Sequence, residues 1–70
     1  MFDDHVEHAR TVFDKIVSEL EAYEAKFQMT SEQFIEASEK AELPETEEFF
    51  SWKLSYVGYQ NLVNRFGFSR

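Results

Sequence analysis

The chain has 70 residues, enough for one small domain spanning residues 1–70. Its 14 acidic and 7 basic residues give a net charge of −7, which disfavours direct binding to nucleic acids and to anionic membrane surfaces. A hydrophobic fraction of 43%, including eight Phe, three Tyr and one Trp, excludes a disordered chain, and the lack of Cys excludes disulfides and thiolate metal sites.

The first 27 residues carry the clearest helical periodicity. Apolar residues recur there at alternating spacings of four and three, which predicts one long helix over about residues 3–27, with Asp3 or Asp4 as its N-cap. This heptad seam consists of Phe2, Val6, Ala9, Phe13, Ile16, Leu20, Tyr23 and Phe27. Because so short a chain buries only a small core, we expect homodimerisation to complete the fold. The predicted self-interface is Val6, Phe13, Ile16 and Leu20.

A capping box marks the start of a second helix. The Thr30 side chain is placed to accept a hydrogen bond from the Gln33 amide, while the Gln33 side chain reaches back to the Thr30 backbone. Met29 and Phe34 have the spacing of a hydrophobic staple across this cap. The helix is therefore expected to begin directly after Thr30, to run for about ten residues and to end before Pro44.

A third helix is predicted to begin with Pro44 in its first turn and to run to about residue 65. Its apolar residues cover well over half of the circumference, which indicates more than one neighbour. A strip of small residues, Ser51, Ser55 and Gly58, either admits a close helix or faces water. The expected fold class is therefore all-α, with long, short and long helices in a bundle completed by homodimerisation.

Three strings in the middle of the chain resemble a known family. They read Tyr-Glu-Ala-Lys-Phe-Gln-Met-Thr-Ser-Glu-Gln-Phe at residues 23–34, Glu-Leu at 42–43 and Glu-Phe-Phe-Ser-Trp at 48–52. They resemble the small acidic antitoxins of prokaryotic toxin–antitoxin pairs, over residues 19–59 at most. The family usually has glycine where this chain has Gln28 and Ala41, and commonly has another where Pro44 stands. The resemblance implies that the chain binds and inhibits a partner, and it supplies no catalytic residue.

The function expected from these observations is protein binding in the cytoplasm. Residues 31–48 carry seven acids and one base, a net charge of −6. This charge suits binding to a basic toxin surface, of which an RNA-cutting site is one example. The candidate partner-binding residues are Glu36, Glu39, Glu42, Tyr56 and Tyr59. The alternatives are a structural protein that only self-associates and a metal-binding helical bundle. No contact with nucleic acid or membrane is expected.

The metal-binding alternative depends on the N-terminus. Asp4, His5 and His8 have helical spacings that bring two or three ligand types to one side, but the set is incomplete without a second copy, and a solvated terminus explains it as well. Catalysis has no sequence support, because the chain has neither a nucleophile motif nor a Gly-rich phosphate loop. We therefore expect a protein that is not an enzyme and needs no cofactor.

Overall fold

The computed structural model describes residues 4–70, with side chains described from residue 6 onward. It contains three helices, α1 (Asp4–Phe27), α2 (Ser31–Glu39) and α3 (Glu47–Phe66), and residues 4–70 include no strand. The predicted all-α order of long, short and long helices is therefore confirmed. Phe2 of the predicted seam and the candidate cap Asp3 lie outside the described residues. Within the described chain, no helix combines the length and apolar character needed to cross a membrane.

The two long helices form an antiparallel hairpin. Three aromatic residues of α1 pack against three of α3 in the opposite chain order, with ring centroids 5.0–5.5 Å apart. The paired rings are Phe13 with Tyr59, Tyr23 with Trp52, and Phe27 with Phe49. The small-residue strip helps the helices approach, since a Cβ at Gly58 would lie 3.3 Å from the Ile16 side chain. Gly58 of this strip therefore faces α1, and Ser55 donates a hydrogen bond to Glu19.

The predicted capping box is present at the start of α2. The Gln33 amide donates to Thr30 Oγ1 at 3.0 Å, and the Thr30 amide donates to Gln33 Oε1 at 2.9 Å. Met29 packs against the core cluster that contains Phe34, as a hydrophobic staple requires. The nine-residue helix follows Thr30 directly and ends before Pro44, as predicted.

Two left-handed residues end the first two helices. Gln28 and Ala41 both have a φ of 57°, and they are the positive-φ residues other than glycine in the described chain. After α2, the Glu42 amide donates to the Ala37 carbonyl and the Ala41 amide to the Ser38 carbonyl, which is a Schellman motif. The left-handed position of this motif favours glycine, so Gln28 and Ala41 adopt there a backbone conformation that residues with a Cβ rarely take.

The predicted start of α3 is wrong. The helix begins at Glu47, three residues after Pro44, and its N-cap is Thr46, whose hydroxyl accepts the Phe49 amide at 3.1 Å. The Thr46 hydroxyl accepts a hydrogen bond from an amide in the first turn, which has no partner within the helix. Pro44 has no side-chain oxygen and cannot act as a cap in this way. Glu47 and Glu48 lie in the first turn, where negative charge opposes the helix dipole.

Trp52 is the centre of the core. It is fully buried, and its ring lies parallel to that of Phe34 from α2, with centroids 3.9 Å apart and an interplanar angle of 1°. Its other neighbours include Tyr23 and Phe27 of α1, at 5.4 and 5.6 Å. One α3 side chain therefore holds both other helices, and Leu20 packs in the same cluster.

The predicted self-interface is mostly occupied within one chain. Phe13 and Leu20 are 1% and 0% exposed because their own α3 covers them, and Ile16 is half-buried. Val6, by contrast, is 47% exposed. Any contact between two copies that keeps this fold must therefore use other apolar residues than Phe13 and Leu20.

The last residues fold back over the hairpin. Gly67 ends α3 with a φ of 74°, and the chain then turns toward α1. The Phe68 ring packs 5.1 Å from that of Phe13, and the Arg10 guanidinium lies 5.5 Å from the Phe68 centroid. This return covers the Phe13 part of the core, while α2 covers the Trp52 part.

Candidate functional site

The most connected polar group of the chain lies where α1, α2 and α3 meet. The indole N–H of Trp52 donates to Ser31 Oγ at 2.9 Å, and the Ser31 hydroxyl and amide donate to Glu24 Oε2 at 2.7 and 2.9 Å. Arg70 closes the chain of bonds with two contacts to the Glu24 carboxylate, at 3.2 and 2.9 Å. These four residues, Glu24, Ser31, Trp52 and Arg70, are called the Glu24 network below.

The electrostatics of this network favour a charged Glu24. Burial by itself raises the pKa of the Glu24 carboxyl, but hydrogen bonds from Arg70 and Ser31 outweigh it and hold this pKa below its usual value. The hydrogen bond with Glu24 raises the pKa of Arg70 above its usual value, although partial burial opposes this shift. Because the groups satisfy one another, the network joins the helices and the C-terminal return; its role is structural.

A different feature faces solvent: an apolar stripe on the outward side of α3. Phe50, Leu54 and Val57 are 60%, 57% and 51% exposed, although all three are large apolar residues. Their spacing of four and three places them on one face, turned away from the buried face of Trp52 and Tyr56. Three such side chains in line, about 10 Å long at the helical rise, form an unusual patch on so small a protein.

A hollow lies on each side of this stripe. Between α1 and α3, a hollow of about 540 Å³ is lined by Glu19, Ala22, Tyr23, Ser51, Leu54 and Ser55. Between α2 and α3, a hollow of about 310 Å³ has Ile35, Glu39, Tyr56 and Val57 in its wall. Leu54 and Val57 thus form the shared ridge between two shallow depressions.

The charges beside the stripe are mainly negative. Glu19 stands at the α1 side, where the Ser55 hydroxyl holds its carboxylate at 3.1 Å, and Glu39 stands at the α2 side. Glu47 lies one helical turn before Phe50 on the same helix. Lys53 lines the α2-side hollow together with Glu39, and its ammonium lies 3.9 Å from the Glu45 carboxylate. The stripe is therefore an apolar ridge with an acidic rim.

The predicted partner-binding residues fall into separate places. Glu36, Glu39 and Glu42 are all exposed, and Glu36 pairs with Lys40 on its own helix at 3.5 Å. Glu39 alone among these acids lines a hollow beside the stripe, where it meets Tyr56. The structure therefore brings together Glu39 and Tyr56, and the Tyr56 ring stacks on that of Tyr59 at 5.7 Å, but Glu36 and Glu42 do not line this hollow.

The two tyrosines are more buried than a binding edge suggests. Tyr56 is 8% exposed and its hydroxyl donates to Glu32 Oε2 at 3.2 Å. Burial, with the neighbouring Glu32 carboxylate, raises the pKa of the Tyr56 hydroxyl. Tyr59 is half-buried, stacked on Phe13 and covered by the Arg70 guanidinium at 5.2 Å. Both rings pack within the described fold, and of the two tyrosines Tyr56 lines the α2-side hollow.

Sequence reasoning missed the outward stripe. The sequence predicts that α3 contacts several neighbours, and therefore that one of them covers Phe50, Leu54 and Val57. The structure leaves this face of the helix uncovered. The signal was available in their spacing of four and three, which is offset from the row that contains Trp52 and Tyr56.

The metal candidate is only partly described. The side chains of Asp4 and His5 lie outside the described residues, and His8 is exposed on α1. Among the side chains that the structure does describe, no three His, Asp or Glu residues come close enough to hold a metal ion.

Comparison of the chain with protein-family models, with curated proteins and with solved structures found no match. The residues that carry the resemblance noted above lie in the core and at the caps: Glu24, Phe27, Thr30, Ser31, Phe34, Phe49 and Trp52. The functional argument therefore rests on the surface of the chain.

Proposed function

We propose that the chain is a protein-binding module that neutralises a basic partner by occupying its surface, as an antitoxin does in the cytoplasm. The observation that carries the proposal is the exposed apolar stripe of Phe50, Leu54 and Val57 beside an acidic rim. Burying the apolar ridge supplies affinity, whereas the carboxylates speed the encounter with a cationic surface and select against acidic partners. An RNA-cutting toxin, whose active surface is cationic to hold phosphates, fits this description.

The acidic segment supports the same proposal. Glu36, Glu39 and Glu42 are exposed, and among the described residues none of the three forms a hydrogen bond or ion pair between two helices, so replacing them should leave the core packing in place. Their charges extend the field of the rim, because at physiological ionic strength charges act over about 8 Å. The segment at residues 31–48, with its net charge of −6, therefore guides a cationic partner toward the helical hairpin.

The test is neutralisation of a neighbouring gene product. A reading frame beside this one is expected to encode a basic protein whose expression arrests growth, and co-expression of the full chain is expected to restore growth. Reversal of Glu36, Glu39 and Glu42 to Lys brings the segment charge from −6 to 0, and it should slow association steeply at low salt. Stopped-flow mixing of the two purified proteins measures that rate.

A matched variant separates local from global charge. Reversal of Glu7, Asp14 and Glu21, three exposed residues of α1, changes the net charge by the same amount but leaves the charge of residues 31–48 unchanged. It should slow association much less. Equal rates for the two reversed variants would contradict a role for the acidic segment, and a neighbouring product that is acidic or harmless would contradict the antitoxin-like function itself.

Self-association is the second candidate, since the stripe is also a surface that a second copy could cover. A homodimer of this fold would use Phe50, Leu54 and Val57 rather than Phe13 and Leu20. Sedimentation at micromolar concentration distinguishes the two: a dimer that dissociates on Leu54→Ser supports self-association, and a folded monomer for the parent chain contradicts it.

A further inference from the structure

The outward face of α3 has the shape and the charge of a receptor for one particular kind of segment. Its ridge is formed by side chains at positions i, i+4 and i+7 of a helix, and it separates two hollows of about 540 and 310 Å³. A helix that packs against such a ridge places its own side chains, at spacings of three and four, into the hollows on either side.

We propose that this face, formed by Phe50, Leu54 and Val57 with Glu19 and Glu39 on its two sides, docks an amphipathic helix whose apolar stripe is flanked by Lys or Arg. The inference rests on the proposed function, because it specifies how the basic partner is held. Apolar side chains of the incoming helix would cover the ridge, and its flanking cations would meet Glu19 on one side and Glu39 on the other.

Charge decides between this occupant and a second copy of the chain. Two copies meeting through the same face would bring the Glu19, Glu39 and Glu47 rims of both together, each chain having a net charge of −7. Like charges brought together at the edge of an apolar contact oppose association, whereas a basic helix gains from the same carboxylates. Lys53 lines the same hollow as Glu39 and lies 3.9 Å from Glu45, so this side of the stripe has one cation among its carboxylates.

The ridge is also accessible without any rearrangement. Both the α2 packing and the C-terminal return lie on the buried side of the hairpin, through Phe34 and Phe68, so neither covers the outward side chains. Docking there requires no unfolding and no displacement of the Glu24 network. The structure with the face uncovered is therefore already competent to bind.

The experiment uses the full ¹⁵N-labelled chain and a synthetic peptide of about 18 residues. The peptide carries Leu at positions i, i+4, i+7 and i+11 with Lys on both sides of that stripe, and a scrambled peptide of the same composition is the control. Titration at low salt should shift the amide signals around Phe50, Leu54 and Val57, and the scrambled peptide should bind much more weakly. Binding of both peptides alike, or shifts centred elsewhere, would overturn the proposal.

Variants then test the ridge and the rim separately. Leu54→Ser should weaken peptide binding about tenfold, as truncation of an anchoring contact does, whereas Val12→Ser, at an exposed apolar residue of α1, should leave it unchanged. Glu19→Gln and Glu39→Gln should each weaken binding about twofold at low salt and not at high salt, with Glu21→Gln as the control. Circular dichroism checks that every variant is folded.

The outcomes also separate this inference from the proposed function. If a basic natural partner binds Leu54→Ser as tightly as the parent, the docking face is wrong while the proposed function stands. If the peptide maps to the stripe but no neighbouring product is neutralised, the docking face stands while the antitoxin-like function fails. A stable dimer of the parent that excludes the peptide from the stripe would overturn the inference in favour of a second copy.

Discussion

Replacing Ser31 by Ala tests the Glu24 network, because Ser31 is both an acceptor and a donor in it. The substitution leaves the fully buried indole N–H of Trp52 without its partner, which costs about 1–3 kcal/mol, and it removes a hydrogen bond to the charged Glu24 that is itself worth about 1.5–3 kcal/mol. Because the Ser31 backbone amide still donates to the Glu24 carboxylate, we expect a net loss of ~3 kcal/mol, a large share of the stability of so small a domain.

Urea unfolding measures this loss. For a small protein the unfolding free energy falls by about 1 kcal/mol per molar urea, so the midpoint should drop by about 3 M, followed by circular dichroism and by the fluorescence of the single Trp. Ser38→Ala, on the same helix and half-buried, is the matched control because its hydroxyl is not part of the network. Equal midpoints for Ser31→Ala and Ser38→Ala would refute the reasoning.

A double-mutant cycle isolates the contact between Trp52 and Ser31. Trp52→Phe removes the indole N–H, so in that background Ser31→Ala no longer leaves a buried donor unpaired. The two substitutions should therefore be coupled by about 1 kcal/mol or more, since residues of one hydrogen-bond chain do not act independently. Additive losses would mean that the contact stabilises nothing.

Three further predictions concern local structure and pH. Ala41→Gly should raise the unfolding free energy by about 0.5–1 kcal/mol, because glycine has no strain at a φ of 57°, whereas Ala37→Gly within α2 should lower it by a similar amount; thermal melts give both signs. Thr30→Ala should cost about 1 kcal/mol by removing the cap acceptor, and an unchanged urea midpoint would show that the Glu24 contact alone holds the start of α2. Because the pKa of Glu24 is lowered in the folded state, this carboxylate contributes its full stabilisation above the ordinary value of 4.5 and loses it as pH falls through the folded pKa. Glu24→Gln should therefore flatten the decline of the unfolding free energy below pH 4.5. An equally steep decline in the variant would contradict this.

The helices and the second cap could be predicted because their signals are local. The spacing of apolar residues in α1 and the Thr30–Gln33 capping box each depend on residues at most a few turns apart. The same local logic should have found Thr46, which stands directly before two first-turn glutamates. The prediction used Pro44 instead, although a proline before a helix indicates only that a helix begins nearby.

The remaining features depend on residues far apart in the chain. Glu24 and Arg70 are 46 positions apart, and no pattern in either neighbourhood indicates that the end of the chain returns to the α2 start. Likewise, a heptad seam shows that α1 has a partner but not which one. In the structure α3 of the same chain covers Phe13 and Leu20, with the Phe13 ring stacked on that of Tyr59 and the Tyr23 ring stacked on that of Trp52.

The core residues and the residues of the proposed docking face are different, and this separation makes the proposed function testable. Phe34→Ala in the core would cost about 3–5 kcal/mol and abolish any activity by unfolding, so a loss of binding there would carry no information about the surface. Leu54→Ser lies on the uncovered side of α3, where substitutions usually change stability by no more than about 0.5 kcal/mol. A variant of that face that folds normally and fails to bind has therefore lost the interaction itself.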